Sequence, residues 1–169
     1  PYTSSAASDV YKRQEVCCRM FSEVFNVETV SLRYFNVYGE RQNLEGAYAL
    51  VMCTFVKQRL NNKPLTIRGD GNQRRDFTNV KDIARANLLA MQSENVGNGE
   101  VINIGNNDNR SINQIAEMIG GPTINIDPVI EPRETLADNG KAKNLLGWEP
   151  KVIIEEWVPK YKKELGIVD

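Results

Sequence analysis

The stretch from Leu32 to Gln42, Leu-Arg-Tyr-Phe-Asn-Val-Tyr-Gly-Glu-Arg-Gln, constrains this chain more than any other. Val30, Leu32 and Tyr34 are branched or aromatic and suit a pleated, buried surface, which predicts a strand over 28–34. The strand runs into a polar turn, with Asn36 just past its end, Gly39 free to take a positive φ, and Arg41 beyond. Upstream, residues 15–25 carry a helical pattern: Val16, Met20 and Val24 share one stripe, Cys17 and Phe21 lie beside it, and Asn26 suits the left-handed position that ends a helix. Helix, short link and strand make an α/β unit. Ligands of open α/β sheets sit outside the carboxyl ends of the strands, so residues 36–42 fall where a ligand would be met. A plain turn at Gly39, with Asn36 as its capping partner, fits the spacing equally well.

The rest of the chain keeps alternating helical and strand patterns. Residues 48–60 read as a helix with Val51, Met52, Phe55, Val56 and Leu60 on its apolar face, stopped by Asn61, Asn62 and Pro64. Residues 65–68 form a short strand. Gly69-Asp70-Gly71-Asn72 has hairpin chemistry, and 74–78 reads as the returning strand. Asn79 and Asp82 look like a capping pair for a helix with Ile83, Ala86 and Ala90 inward; Ser111 and Gln114 form a second capping box for a helix through Ile119. Strands are predicted over 100–104 and 123–127. An extended segment over 128–134 then leads to a short helix capped by Asp138 and closed by Gly147, with Trp148 and Pro150 anchoring the loop after it. A last helix carries Ile154, Trp157, Val158, Tyr161 and Leu165 on one face, and Pro159 within it predicts a kink or a later start.

Composition removes several function classes. The 169 residues suffice for one domain with its own core, and 41% hydrophobic with 25% charged residues is usual for a globular protein. A net charge of −1 offers nucleic acid or an anionic membrane no electrostatic purchase. No apolar run approaches the ~20 residues of a membrane span, and no signal peptide is visible. Cys17, Cys18 and Cys53 make a poor disulfide framework and lack metal spacing, so reduced thiols and a cytoplasmic location are expected. There is no histidine, which excludes Ser-His and Cys-His nucleophiles and histidine-held metals.

Four ordered blocks resemble the NAD-dependent nucleotide-sugar epimerase/dehydratase family of extended short-chain dehydrogenases, with UDP-glucose and UDP-N-acetylglucosamine 4-epimerases nearest. They are Leu-Arg-Tyr-Phe-Asn-Val-Tyr-Gly at 32–39, Gly-Asp-Gly-Asn-Gln-Arg-Arg-Asp-Phe at 69–77, Asn-Ile-Gly at 103–105, and Ala137-Asp138 with Lys141-Ala142 and Leu-Gly-Trp-Glu-Pro at 146–150. The resemblance covers residues 15–169 and corresponds to the family's C-terminal half. It implies an α/β fold: part of a Rossmann-type sheet, with the strands around Leu32 and Val101, interleaved with a small α/β substrate-binding lobe. It also implies that Arg75 grips a substrate diphosphate together with Asn36. Guanidinium chemistry suits that role, because the group is always charged and binds phosphate oxygens in pairs; a surface ion pair with Asp76 or Asp70 is the alternative. Arg133 is the counterpart of a second phosphate-binding arginine, although the family's Pro-Gly after it is missing here, and a solvated loop charge is the alternative. Tyr48, at the start of its helix, and Arg68, near the nucleotide base, complete the implied substrate side. Tyr34 and Phe35 lie on the cofactor side.

Two family features are missing. No Gly-x-Gly-x-x-Gly follows a strand. The family's Tyr-x-x-x-Lys pair, which moves the substrate hydroxyl proton while hydride passes to or from NAD, occurs nowhere. With Glu15 aligned to the family glutamate that follows this motif, its lysine and tyrosine positions hold Tyr11 and Ala7. Residues 1–14 are therefore expected to be non-native, and 15–169 to be the C-terminal part of the epimerase/dehydratase domain. The implied parent is an NAD-dependent UDP-hexose 4-epimerase, a homodimer as family members usually are. A 4,6-dehydratase, a UDP-glucuronate decarboxylase or a non-catalytic nucleotide-sugar binder are the alternatives. The chain itself is expected to be inactive.

Overall fold

The computed structural model describes residues 4–42 and 50–167. Its elements, in chain order, are α1 (Ser4–Phe25), β1 (Thr29–Tyr34), β2 (Val37–Tyr38), α2 (Val51–Leu60), β3 (Leu65–Arg68), β4 (Arg74–Asp76), β5 (Thr78–Asn79), α3 (Val80–Gln92), β6 (Asn98–Ile104), β7 (Asn109–Ser111), α4 (Ile112–Ile119), β8 (Thr123–Ile126), α5 (Gly140–Leu146) and α6 (Ile154–Glu164). The α/β class and the parallel Rossmann-like pairing are as the sequence implies.

Two apolar cores organise the molecule. In the first, β1 and β6 pair in parallel, with Leu32 opposite Ile102 and Tyr34 opposite Ile104. Ile102 and Ile104 are buried under Ile83, Ala86 and Ala90 of α3 and Ala142 and Leu146 of α5. The alanines let α3 approach closely. Trp148 is fully buried there and its Nε1 donates to the Asp82 carbonyl at 2.9 Å. In the second core, Met52, Phe55 and Val56 of α2 meet Leu65 and Ile67 of β3, Ile115 and Ile119 of α4, and Trp157, Val158 and Tyr161 of α6. Here β3 pairs in parallel with β8, and β4 antiparallel with β7. The chain supplies the two cores alternately.

Several local expectations are corrected. β3 and β4 form no hairpin. Gly69 and Gly71 do take positive φ, but each strand finds its partner later in the sequence. The presumed returning strand is broken at Phe77 into β4 and β5. The polar turn over 36–42 contains β2, which pairs in parallel with β5. Positive φ there falls on Asn36 (31°) and Arg41 (62°) rather than on Gly39. Gly39 is required for space, since a Cβ on it would stand 2.3 Å from Val80 Cγ1. Asn79 does cap α3, accepting from the Lys81 amide, but Asp82 does not close a box. Its carboxylate reaches across to the Lys151 and Val152 amides, each at 2.9 Å, and pairs with Arg85. The Ser111–Gln114 box forms as expected. Asp138 accepts from the Gly140 amide, one residue before the helical cap position. α6 begins at Ile154 with Pro159 inside it, so the later start does not occur.

α1 begins at Ser4, well before Glu15, because nothing in the intervening residues, neither glycine nor proline, stops it. Its stripe of Val16, Met20 and Val24 faces solvent. The helix meets the sheet instead through half-buried Glu15, Cys18 and Ser22. Ser22 Oγ lies 2.7 Å from Thr29 Oγ1 and donates to the Gly97 carbonyl at 3.1 Å. Glu15 binds Arg33 through two hydrogen bonds of 2.6 and 2.7 Å. Gly99 admits the helix backbone: a Cβ there would lie 2.5 Å from Arg19 Cα. Among the described residues no helix is long and apolar enough to cross a membrane.

Candidate substrate-binding cleft

β1 and β4 end side by side, and what joins them is Asp76. This carboxylate is fully buried. Oδ1 accepts from the Asn106 amide at 2.7 Å; Oδ2 accepts from the Asn107 amide at 2.9 Å and from the Ala137 amide at 3.0 Å. Burial pushes the carboxyl above its usual range, against the pull of the three amides. The Asp76 carbonyl in turn accepts from Asn36 Nδ2 at 2.7 Å, which fixes the side chain at the end of β1 against β4. Strand alternation then sorts the two arginines of β4. Arg74 turns to Asn109, donating to its Oδ1 at 2.6 Å and its carbonyl at 2.7 Å. Arg75 turns the other way, into a cleft.

That cleft, of about 390 Å³, brings together Asn36, Arg75 and Arg68. Its apolar wall is Leu50, Val51 and Phe55, with Ile112 and Ile126; Thr54, Thr66, Gln73 and Glu131 supply further polar groups. The volume and the mix of an apolar wall with a few convergent polar groups are those of a small-molecule site. The Arg75 side chain is only 12% exposed. Its Nη1 donates to the Arg74 carbonyl at 2.8 Å and its Nη2 to Glu131 Oε2 at 2.6 Å. The alternative partners Asp76 and Asp70 are both engaged elsewhere. Gln73, itself buried, donates through Nε2 to the Arg68 carbonyl at 3.0 Å and towards Glu131 Oε1 at 3.4 Å. Arg68 ends β3 at the rim, and among the described residues its guanidinium has no ion-pair partner.

The other candidates lie elsewhere. Arg133 is not part of the cleft wall. Its guanidinium forks onto Asp70, at 2.8 and 2.7 Å, in an exposed pair that holds the Asp70 carboxyl well below the usual range. Tyr48 lies outside the described residues. Tyr34 and Phe35 are at the carboxyl end of β1, but Tyr34 lines a separate groove of about 940 Å³ between α1 and β1, and its hydroxyl donates to Asn87 Oδ1 at 2.9 Å. Phe35 packs over Gly105, its Cγ 3.2 Å from where a Cβ would stand. Gln73 was legible in the 69–77 block only as part of a pattern, with no role attached. Glu131 had no signal, because only the tertiary fold carries it to Arg75.

Parallel strand pairs flanked by helices, with a cleft lined by two guanidinium groups beside them, define an α/β protein. The chain belongs to the NAD dependent epimerase/dehydratase family, whose match spans residues 12–105. It is 36% identical over 149 residues to a putative UDP-glucose 4-epimerase of Methanocaldococcus jannaschii, covering 84% of this chain and 47% of that protein. It is likewise 36% identical over 146 residues to UDP-glucuronic acid decarboxylase 2 of Arabidopsis thaliana, covering 82% of this chain and 32% of that protein. Among solved structures, UDP-glucose 4-epimerase of Thermotoga maritima with UDP-glucose superposes with a TM-score of 0.80 at 35% identity, over 91% of this chain and 52% of that one. UDP-glucuronic acid 4-epimerase of Bacillus cereus, in complex with UDP-glucuronic acid and NAD, gives 0.78 at 36%, over 89% and 50%. The chain spans about half the length of these relatives or less.

NAD is the cofactor of this family. The described residues do not make a dinucleotide cradle. In Gly97-Asn98-Gly99 the last two residues already belong to β6 rather than to a turn after a strand, and α1 fills the space beside Gly99.

Proposed function

We propose that this chain carries the diphosphate-holding side of an NAD-dependent nucleotide-sugar 4-epimerase. The convergence of Asn36, Arg68 and Arg75 in one cleft carries the proposal. Arg75 presents a preoriented, largely desolvated guanidinium to the diphosphate of a UDP-hexose, Arg68 adds a second positive charge at the rim, and the α2 wall receives the rest of the ligand. These groups bind and orient the substrate; with no Tyr-x-x-x-Lys, the chain positions a sugar without turning it over. The Arabidopsis relative supports a second member of the same class, a UDP-glucuronate decarboxylase fragment, which would use the cleft in the same way.

Titration calorimetry of the whole chain with UDP tests this. One site is expected, and Arg75→Ala should weaken it ~10- to 100-fold, the range for a lost charge-assisted contact of ~1.5–3 kcal/mol. No binding of UDP, or equal binding by Arg75→Ala, overturns it.

A further inference from the structure

The segment between β8 and α5 holds something the cleft's function does not require. At its far end it is zippered to β4: the Arg74 amide donates to the Arg133 carbonyl at 2.9 Å and the Thr135 amide to the Arg74 carbonyl at 3.1 Å. At its near end the Gly69 amide donates to the Ile126 carbonyl at 2.9 Å. Between these anchors the chain arches outward, with Ile130 wholly exposed and Val129 half exposed. Among the described residues, what ties the arch to the cleft is Glu131. Its carboxylate lies on Arg75 at 2.6 Å and is approached by buried Gln73 from the other side. A protein carboxylate therefore sits on the very cation offered to the ligand.

The geometry points to Glu131 as a specificity-determining residue: an internal anion that a ligand must displace from Arg75, and that a ligand of low charge displaces poorly. This rests on the cleft being the diphosphate site. A phosphate oxygen on the remaining N–H groups of Arg75 would stand a few ångströms from the Glu131 carboxylate in a half-buried site, where like charges repel strongly. The two anions do not share the guanidinium comfortably, so ligand entry drives Glu131 out. A diphosphate brings enough charge to replace Glu131 on Arg75 and also to engage Arg68 at the rim. A monophosphate must choose between them, and an uncharged nucleoside displaces nothing. When Glu131 leaves, the arch between its two anchors loses its inner tether, so occupancy of the cleft and loosening of the arch are one event.

The test measures UDP and UMP affinities by calorimetry for the wild-type chain, Glu131→Gln and Glu131→Ala. Both variants should bind UMP at least 10-fold more tightly than the wild type and gain less for UDP, so that the preference for diphosphate shrinks. In the wild type, UDP should raise hydrogen exchange at the Val129, Ile130 and Glu131 amides. A preference unchanged in both variants, or both nucleotides weakened alike, overturns the inference and makes Glu131 a support for Arg75, while leaving the diphosphate site standing. Absence of UDP binding to the wild type removes site and inference together. Slower exchange in the arch on adding UDP also refutes the displacement.

Discussion

Removing the Asp76 carboxylate should release β4 from the segment after β6 and destabilise the whole chain. In Asp76→Ala the amides of Asn106, Asn107 and Ala137 lose their acceptor, at 2.7, 2.9 and 3.0 Å in the wild type. The Ala137 bond is buried and the other two are part-buried, so the unsatisfied donors cost ~1–3 kcal/mol for the first and about 1 kcal/mol for each of the others. Against that, the wild type bears the cost of burying a carboxylate, which the variant does not. The net loss is therefore at most about 5 kcal/mol, a large share of the ~5–15 kcal/mol of a typical domain. At ~2–4 °C per kcal/mol for a chain of this size, the melting temperature should fall by at most about 20 °C. Asp76→Asn keeps one oxygen but turns an NH2 towards an amide donor, so about half the loss is expected. Urea unfolding followed by fluorescence of Trp148 and Trp157, both buried, reads the change directly. An Asp76→Ala loss below ~1 kcal/mol would refute the view that this carboxylate ties β4 to the segment after β6 and to Ala137.

Two further outcomes follow from the geometry. Gly105→Ala would put a Cβ 2.2 Å from Ala137 Cβ, an atom fixed to its own backbone; a loss of ~2–3 kcal/mol is expected. In urea unfolding it should exceed the ~1–2 kcal/mol strain of Gly147→Ala, where φ is +62° and the space is open. The Glu15–Arg33 pair makes α1 docking pH-dependent. The Arg33 hydrogen bond holds the Glu15 carboxyl below its usual range, so the unfolded chain binds the extra proton and the pair's contribution is present above the unfolded carboxyl's ~4.3 and lost as pH falls through the lower folded value. Half of Arg33 is in solvent, so the amount is about 0.5 kcal/mol or less, and the difference in urea midpoint between wild type and Glu15→Gln should vanish on acidification.

The elements legible in the sequence were those fixed by local chemistry. The Ser111–Gln114 box, the Gly147 stop and the apolar period of α3 each act within a few residues. The failures were long-range. Gly69 and Gly71 carry hairpin chemistry, but a turn does not choose a partner, and β3 and β4 each found a strand far along the chain. Asp82 has capping spacing yet serves residues 151 and 152. The stripe of Val16, Met20 and Val24 was a true helical period without a buried face. In the cleft, the strand end singled out Asn36 and the resemblance of the 69–77 block singled out Arg75, and the structure brings both into one cleft. Glu131 and the diversion of Arg133 to Asp70 depend on where the 127–134 segment lies in space, which no spacing encodes.

The alternate threading of the chain through its two cores has a consequence for how it comes apart. Stretches that build one core are interleaved along the chain with stretches that build the other, so neither can be excised as an autonomous module. Collapse of either core also brings the other's segments within reach, which shortens the search each must make. The polypeptide should therefore melt as one body, with its weak points at the seams where it passes from one core to the next.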